Sequence, residues 1–268
     1  MNSVFNVINE MHDYLTNLAG VCDVKTNMQL PADRLSISEW EKKFNCSIPT
    51  DLANFYLVSN GLSVSWKVKC GETKFSVGKI NLNSLSNLIL VVGTSDSLEE
   101  KVSFTDLYKV ENSGEKVPNL INQSCRLFHF EECDYDAHVF LVYFENKAGS
   151  MSRNPEMWLL DRSFMFFKVA NSFSEYFRLM VMHFGLPQWQ FLFTDYGPTP
   201  QARQFINMYA SSRFDIKNEF SQIPSTCTPE VVSKFKSPNL EKIFKVVETK
   251  LVEKVTKTVS NKILNNNK

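Results

Sequence analysis

The amino-acid sequence predicts an α+β fold in which a mostly antiparallel sheet is flanked by helices, with helical extensions at both termini. Apolar residues first recur at the spacing of a helix, then alternate with polar residues over several short segments, and return to the helical spacing after Ser172. The alternating segments are mostly adjacent and separated by polar turns, which favours antiparallel pairing. The 268 residues, 43% of them hydrophobic, are enough to bury a substantial core.

The first element is an N-terminal helical extension, predicted over residues 1–29. Its apolar side chains form one stripe that ends at Gly20, namely Val4, Phe5, Ile8, Met11, Leu15 and Leu18. A loop is expected from there to Pro31. Polar and acidic residues interrupt the start of the chain, so no secretory signal is predicted.

Residues 37–69 predict two helices followed by a strand. Ser38, with carboxylates directly after it, is typical of a helix N-cap. Pro49-Thr50-Asp51 predicts the start of the second helix, and Asn60-Gly61 predicts its left-handed end. The residues that follow alternate as in a half-buried strand, with Val64, Trp66 and Val68 against Ser65, Lys67 and Lys69.

The remaining elements are predicted between residues 63 and 211. The strands are expected at 63–70, 74–82, 126–131, 139–144, 157–161 and 164–169. Asp161-Arg162-Ser163 indicates a tight hairpin between the last two. Ser172 and Glu175 have the capping-box spacing and predict a helix that ends at Gly185, and a further helix is predicted over 198–211.

The order helix, proline, helix, Asn-Gly and strand resembles the opening of the SMI1/KNR4 (SUKH) domain. The residues that carry the resemblance are Trp40, Glu41, Pro49, Phe55, Tyr56, Asn60, Gly61 and Trp66. Within that superfamily the run FYLVSNGLSVSWKVK looks most like the non-catalytic subunits of tubulin polyglutamylase complexes. The similarity continues through PEMWLLDRSF and HFGLPQWQFLFTDYGPTP, so residues 30–212 are predicted to form one SUKH-like domain.

This resemblance implies a structural adaptor that is not an enzyme. The chain would support a tubulin-tyrosine-ligase-like catalytic subunit that adds glutamates to glutamate side chains of tubulin. That partner would bind ATP and Mg²⁺, so no cofactor is expected here. The implied partners are the ligase and other complex subunits, including a leucine-rich-repeat protein, with microtubules bound indirectly and no nucleic acid or membrane. The implied location is the cytoplasm and cytoskeleton, at microtubules, centrioles and the base of cilia.

Composition agrees with a cytosolic protein. The six cysteines show no CxxC pairing, which is typical of free thiols in a reducing compartment. The longest apolar runs are far shorter than the ~20 residues that a membrane-spanning helix needs. The formal charge is zero, but residues 234–268 hold nine lysines against three glutamates. The rest of the chain is therefore mildly acidic and carries a basic tail.

The sequence contains no strong catalytic motif. A Gly-rich phosphate loop, a dinucleotide fingerprint and the HExxH and G-x-S-x-G patterns are all missing from it. Cys125, His129 and Cys133 would share one face of a strand, but four residues of strand span ~13 Å, too far for one metal ion. Four nearby carboxylates lack the order of a calcium loop and are interpreted as a solvated hairpin loop: Glu131, Glu132, Asp134 and Asp136.

Protein-binding residues are predicted in two places. Trp189 is expected in a surface turn, with Phe191 and Tyr196 nearby, where the aromatic residues are too many for all to be buried easily. Beyond a Pro/Ser/Thr-rich linker at 213–239, residues 240–268 predict a basic amphipathic helix. The contact residues expected in that helix are Phe244, Val247, Lys250, Leu251 and Lys254.

Two other functions remain open on the residues alone. The first is a generic SUKH-type adaptor for an unrelated partner, which a pull-down would separate from a polyglutamylase subunit. The second is a small nucleotide-binding enzyme that uses the acidic loop and a surface cleft. ATP binding by the purified protein would indicate that enzyme.

Overall fold

The computed structural model describes residues 2–92, 125–144 and 151–210. Within these ranges the chain forms five α-helices and eight β-strands. The helices are α1 (Asn2–Thr16), α2 (Arg34–Phe44), α3 (Thr50–Tyr56), α4 (Phe173–Met182) and α5 (Pro200–Tyr209). The strands are β1 (Val21–Met28), β2 (Leu62–Cys70), β3 (Thr73–Leu82), β4 (Ile89–Val92), β5 (Cys125–Glu132), β6 (His138–Phe144), β7 (Glu156–Leu160) and β8 (Phe166–Ala170).

The strands form a single antiparallel sheet, which confirms the predicted α+β fold class. Seven of them follow the order β1-β2-β3-β5-β6-β7-β8, and β4 pairs with β5 beside this path. The pairing between neighbouring strands is shortest between β3 and β5, where Leu82 and Glu131 form the one paired position. The hairpin of β2 and β3 with β1 thus forms one wing of the sheet, and β4–β8 form the other.

Apolar side chains pack on both faces of the sheet. A large core joins one face to side chains from all five helices, including Ile8 of α1, Trp40 of α2 and Ile206 of α5. A smaller cluster lies on the alternate positions of β5–β8, which face the other way. Its buried members are Cys125, Leu127, Phe140, Val142, Trp158, Leu160 and Phe166.

The first predicted N-cap is wrong. α2 begins at Arg34, where the Asp33 side chain accepts a hydrogen bond of 2.7 Å from the Ser36 backbone N–H. Ser38 therefore lies inside the helix. The earlier start places Ile37 and Trp40 three residues apart on one helical face, and both side chains are buried there.

The loop predicted between Gly20 and Pro31 is also wrong, because it contains β1. The register of β1 against β2 shifts between Cys22 and Lys25, and Asp23 has a positive φ of 52°. This β-bulge interrupts the alternation of apolar and polar residues that would have indicated a strand. β4, a run of only four residues, is a second strand that the sequence pattern does not predict.

Asn60-Gly61 does not end α3 as predicted. The helix ends at Tyr56, and Leu57 follows in a right-handed helical conformation. Gly61 has a φ of 124° and belongs to the turn that leads into β2. Asn60 fixes the same turn, because its Oδ1 accepts a 2.8 Å hydrogen bond from the Leu85 backbone N–H.

The two helices predicted after the sheet are present, although α4 ends at Met182 rather than at Gly185. Ser172 caps α4 by accepting a 3.2 Å hydrogen bond from the Glu175 backbone N–H. The Glu175 carboxylate accepts in return from the backbone N–H of Asn171, one residue before the position that a capping box predicts. α5 begins at Pro200 after the cap residue Thr199.

Only some of the predicted domain boundaries lie within the described residues. α1, predicted as part of an extension, contributes Val4, Val7, Ile8, Met11 and Leu15 to the large core. The boundary predicted at 212, the linker at 213–239 and the basic helix at 240–268 lie outside the described residues. Across the described ranges, no helix combines the length and apolarity that crossing a membrane requires.

Candidate protein-binding surface

The turn between β7 and β8 is organised by one buried carboxylate. Asp161 is the first residue after β7, and its Oδ1 accepts backbone hydrogen bonds from Ser163 at 2.9 Å and Met165 at 2.8 Å. The Asp161 carbonyl also accepts from the Phe164 backbone N–H at 3.0 Å. Side-chain acceptance of N–H groups two to four residues ahead is how aspartate stabilises tight turns. The predicted hairpin is therefore confirmed.

Two apolar side chains are displayed by this turn. Phe164 is 37% exposed and Met165 is 39% exposed. Phe164 also has a positive φ of 60°, which is unusual for a bulky side chain and is disfavoured by contact of Cβ with the backbone. The Asp161 hydrogen bonds hold this conformation in place.

Tyr196 extends the same surface from the other side of Asp161. Its hydroxyl donates a 2.6 Å hydrogen bond to Asp161 Oδ2, and its ring meets Phe167 and Phe191 edge-on at centroid distances of 5.7 and 6.0 Å. Partial burial and the hydrogen bond to Asp161 raise the pKa of Tyr196, so the hydroxyl remains a donor. The residue is still 54% exposed.

We name Phe164, Met165 and Tyr196 the hairpin patch. All three are fixed by hydrogen bonds to Asp161, Met165 and Tyr196 through its carboxylate and Phe164 through its backbone carbonyl. All three also leave apolar surface in solvent. Aromatic residues held rigidly at a surface lose little entropy when a partner covers them. The patch therefore has the physical properties of a protein-binding surface.

The three residues predicted at this surface differ in their exposure to solvent. Tyr196 is exposed, whereas Phe191 is buried and Trp189 is only 1% exposed. The surface turn expected at Trp189 is wrong, because this residue begins the 3₁₀ segment Trp189–Phe193 and its ring packs against Tyr176 of α4 at a centroid distance of 5.3 Å. There Trp189 stacks on His183 at a centroid distance of 5.3 Å and an interplanar angle of 12°.

The apolar run at residues 164–169 predicts a strand there, so it gives no indication that Phe164 and Met165 are displayed in a turn. The strand begins at Phe166 instead. The available signal was the Asp161-Arg162-Ser163 turn, which an aspartate can extend by two further residues through its side chain. The other predicted contact residues, Phe244, Val247, Lys250, Leu251 and Lys254, lie outside the described residues.

The aromatic residues of the family-like motif lie in the core. Trp40 contacts Phe44 and Phe128 at centroid distances of 5.0 and 4.7 Å. Phe55 contacts Phe173 of α4 at 5.2 Å. Trp66 donates a 2.8 Å hydrogen bond from its indole N–H to the Phe184 carbonyl, which ties β2 to the end of α4.

The polar residues of the motif fix the chain between elements. Glu41 Oε1 accepts a 2.8 Å hydrogen bond from the Ile48 backbone N–H, so it holds the link from α2 to Pro49. Tyr56 is fully buried and donates its hydroxyl hydrogen to the Asn83 carbonyl. These contacts position the helices on the sheet.

Glu131 is not part of a solvated loop, which corrects the interpretation of the acidic segment. Its side chain is 3% exposed and accepts hydrogen bonds from the Tyr176 hydroxyl and the Asn81 backbone N–H. Burial raises the pKa of Glu131 to about 7. Asp134 and Asp136 are exposed between β5 and β6, as expected for the loop, whereas Glu132 is exposed at the end of β5.

The cysteine and histidine residues weighed as metal ligands do not share a face. Cys125 belongs to the smaller cluster, whereas Cys133 packs against the large core on the other side of the sheet. A register shift between His129 and Glu131 reverses the faces of the residues beyond it. His129 instead lies beside His138, with ring nitrogens 3.2 Å apart, and within the described residues no three potential ligands come together.

Comparison with known proteins gives the family. The model of the SMI1 / KNR4 family (SUKH-1) matches residues 31–179, from the approach to α2 into α4. The chain belongs to the SMI1/KNR4 family. The match includes the Asp161 turn, with Phe164 and Met165, whereas Tyr196 follows the matched residues.

Individual relatives of the chain share a name. The chain is 35% identical over 233 residues to a mouse (Mus musculus) protein named tubulin polyglutamylase complex subunit 2, covering 84% of this chain and 78% of the relative. Rat (Rattus norvegicus) and human (Homo sapiens) proteins of the same name are 36% and 34% identical over 200 residues. These matches cover 73% of this chain, and 67% and 66% of the respective relatives.

Proposed function

We propose that this SMI1/KNR4 protein is a non-catalytic subunit of a tubulin polyglutamylase complex. The observation that carries the proposal is the similarity to subunits of that name over 84% of the chain and 78% of the mouse relative. A match of this extent covers most of both chains, so the similarity is not confined to a single motif.

The chemistry of the described residues supports a non-catalytic role. The most perturbed carboxylate, Glu131, is enclosed by Tyr176 and the β3 backbone, where a substrate would have to displace core side chains. His183 is buried against Trp189. In this proposal a tubulin-tyrosine-ligase-like partner binds ATP and Mg²⁺ and forms the new amide bond, while this chain contributes assembly and positioning.

The hairpin patch is the proposed contact with another subunit. It combines exposed apolar surface with a turn whose shape is set by Asp161, and such pre-organisation favours a specific interface. The remaining subunits, including a leucine-rich-repeat protein, complete the proposed complex. Its proposed location is the cytoplasm, at microtubules, centrioles and the base of cilia.

A glutamylation assay tests the non-catalytic part of this proposal. The purified full chain is incubated with tubulin, ATP, Mg²⁺ and radiolabelled glutamate, and incorporation into tubulin is measured. We expect none above that of tubulin alone. Incorporation that co-elutes with the chain through size exclusion, in a preparation free of ligase by mass spectrometry, would contradict the proposal.

A further inference from the structure

The wing formed by β1, β2 and β3 carries an excess of lysine on its outer face. These strands and the turn between β2 and β3 contain Lys25, Lys67, Lys69, Lys74 and Lys79 against one aspartate and one glutamate. All five lysines are exposed. The formal charge of the whole chain is zero, so three net positive charges on this small wing are a local concentration.

The strand register places the lysines on the same face. Lys25 and Lys79 are both paired with Ser65, one from each neighbouring strand, and Lys69 is paired with Lys74. Cross-strand partners point to the same side of a sheet. Thr26, Val64 and Ile80, at the alternate positions, face the helices, and Thr26 is hydrogen-bonded to His12 of α1 at 2.9 Å.

The lysines also act together electrostatically. Asp23 accepts hydrogen bonds of 3.0 and 3.1 Å from Lys74 Nζ. This hydrogen bond, together with the charges of Lys74, Lys67 and Lys25, lowers the pKa of Asp23. Three of the lysines are thus close enough to stabilise the same carboxylate, while Asp23 compensates only one of them.

The charge and spacing of the lysines on this face of β1–β3 favour the binding of an extended acidic peptide. Residues two apart on a strand, such as Lys67 and Lys69, are separated by ~6.6 Å, and an extended peptide presents its alternate side chains at the same interval. The three strands contain no arginine, the residue best suited to bidentate phosphate binding. Phe75, the exposed aromatic residue of β3, is paired with Val68 on the opposite face, so it is not placed to stack on bases.

We propose that the lysine face, consisting of Lys25, Lys67, Lys69, Lys74 and Lys79, binds an extended peptide rich in glutamate or aspartate. The lysines attract the peptide carboxylates, and the exposed strand surface accommodates its extended backbone. This inference rests on the charge and register of β1–β3, and it does not depend on membership of a polyglutamylase complex.

Fluorescence anisotropy with a labelled oligoglutamate peptide tests the inference. The full chain is compared with the double variant Lys67→Glu/Lys69→Glu at low ionic strength. We expect the variant to bind about tenfold more weakly or worse, because two attractive contacts become repulsive. Binding by the unchanged chain should also weaken as salt rises to ~0.15 M, where charges are screened beyond about 8 Å.

The matched control is Lys42→Glu/Arg178→Glu, which makes the same change in net charge at exposed positions on α2 and α4. It should retain binding within about threefold. Both variants keep the nine lysines of residues 234–268, so that segment contributes equally. Thermal unfolding verifies that each variant is folded, and a single Lys69→Gln variant provides a milder change.

Three results would overturn the inference. They are equal loss of binding in both double variants, failure of the unchanged chain to prefer oligoglutamate over oligoglutamine, and equally tight, Lys67- and Lys69-dependent binding of a single-stranded RNA of the same charge. The last result would assign the face to nucleic acid.

Discussion

At the scale of single residues, Glu131 makes the stability of this protein depend on pH. Its pKa is about 7 in the folded protein against an ordinary value of 4.5. The folded state therefore binds the proton more tightly than the unfolded state. The stabilising contribution of protonated Glu131 is complete below about pH 4.5 and is lost as the pH rises through about 7.

The variant Glu131→Gln should remove this dependence, because its side chain is neutral at every pH and can still accept from Tyr176. Relative to the unchanged protein, its free energy of unfolding should increase by up to about 3 kcal/mol between about pH 4 and pH 8. Urea unfolding at both pH values measures the difference. The exposed neighbour Glu132→Gln is the control. An equal pH dependence in Glu131→Gln and the unchanged protein would contradict the assignment.

Phe164 combines a positive φ with an exposed aromatic ring. A substitution that suits the backbone conformation but removes the ring tests the role of the exposed surface alone. Asparagine tolerates the left-handed conformation better than phenylalanine does. Phe164→Asn should keep or slightly raise the melting temperature while weakening recovery of other complex subunits several-fold in a pull-down. Met208→Gln, which removes an exposed apolar side chain from α5, should leave recovery unchanged. Full recovery with Phe164→Asn would remove the hairpin patch from the interface.

At the scale of elements, β3 packs against β2 through a contact that only glycine permits. A Cβ added to Gly78 would lie 1.8 Å from Trp66 Nε1, whose hydrogen bond to the Phe184 carbonyl connects β2 to α4. Gly78→Ala should therefore displace the indole ring and lower the free energy of unfolding by ~2–4 kcal/mol, measured by urea unfolding.

Gly71 provides the matched comparison for Gly78. It lies in the turn between β2 and β3 with a φ of 60°, and a Cβ there would meet nothing within 4 Å. Gly71→Ala should cost only the ~1 kcal/mol of a strained backbone. An equal loss of unfolding free energy in the two variants would show that the contact with Trp66 does not explain the cost of Gly78→Ala.

An element is predicted accurately from the sequence when the residues that define it lie close together in the chain. α4 was predicted with its cap because Ser172, Glu175 and the apolar stripe are all within one short segment. β1 was missed because the bulge at Asp23 disrupts its alternation and because β2, its pairing partner, is distant in sequence. The start of α2 was misplaced because Asp33 and Ser38 are both good capping residues, and burial of Ile37 favours the earlier one.

At the scale of the whole molecule, the sequence predicted the fold class better than the surface. Adjacent segments of alternating polarity, separated by polar turns, indicated the antiparallel α+β arrangement, and the family-like motif agreed with it. The burial of Glu131 depends on the contact of α4 with β5, and the position of Tyr196 depends on its hydrogen bond to Asp161, 35 residues earlier in the chain. Such contacts join residues far apart in the chain, so periodicity and composition do not specify them.

A chain that works as a subunit of a tubulin polyglutamylase complex should co-purify with the glutamylating activity. The most direct test is affinity purification of the tagged full chain from cells that make it, followed by a glutamylation assay of the eluate on added tubulin. We expect ATP-dependent glutamate incorporation in the eluate, together with a tubulin-tyrosine-ligase-like protein identified by mass spectrometry. An eluate with no more activity than a tag-only control, from cells whose lysate glutamylates tubulin, would contradict the proposal.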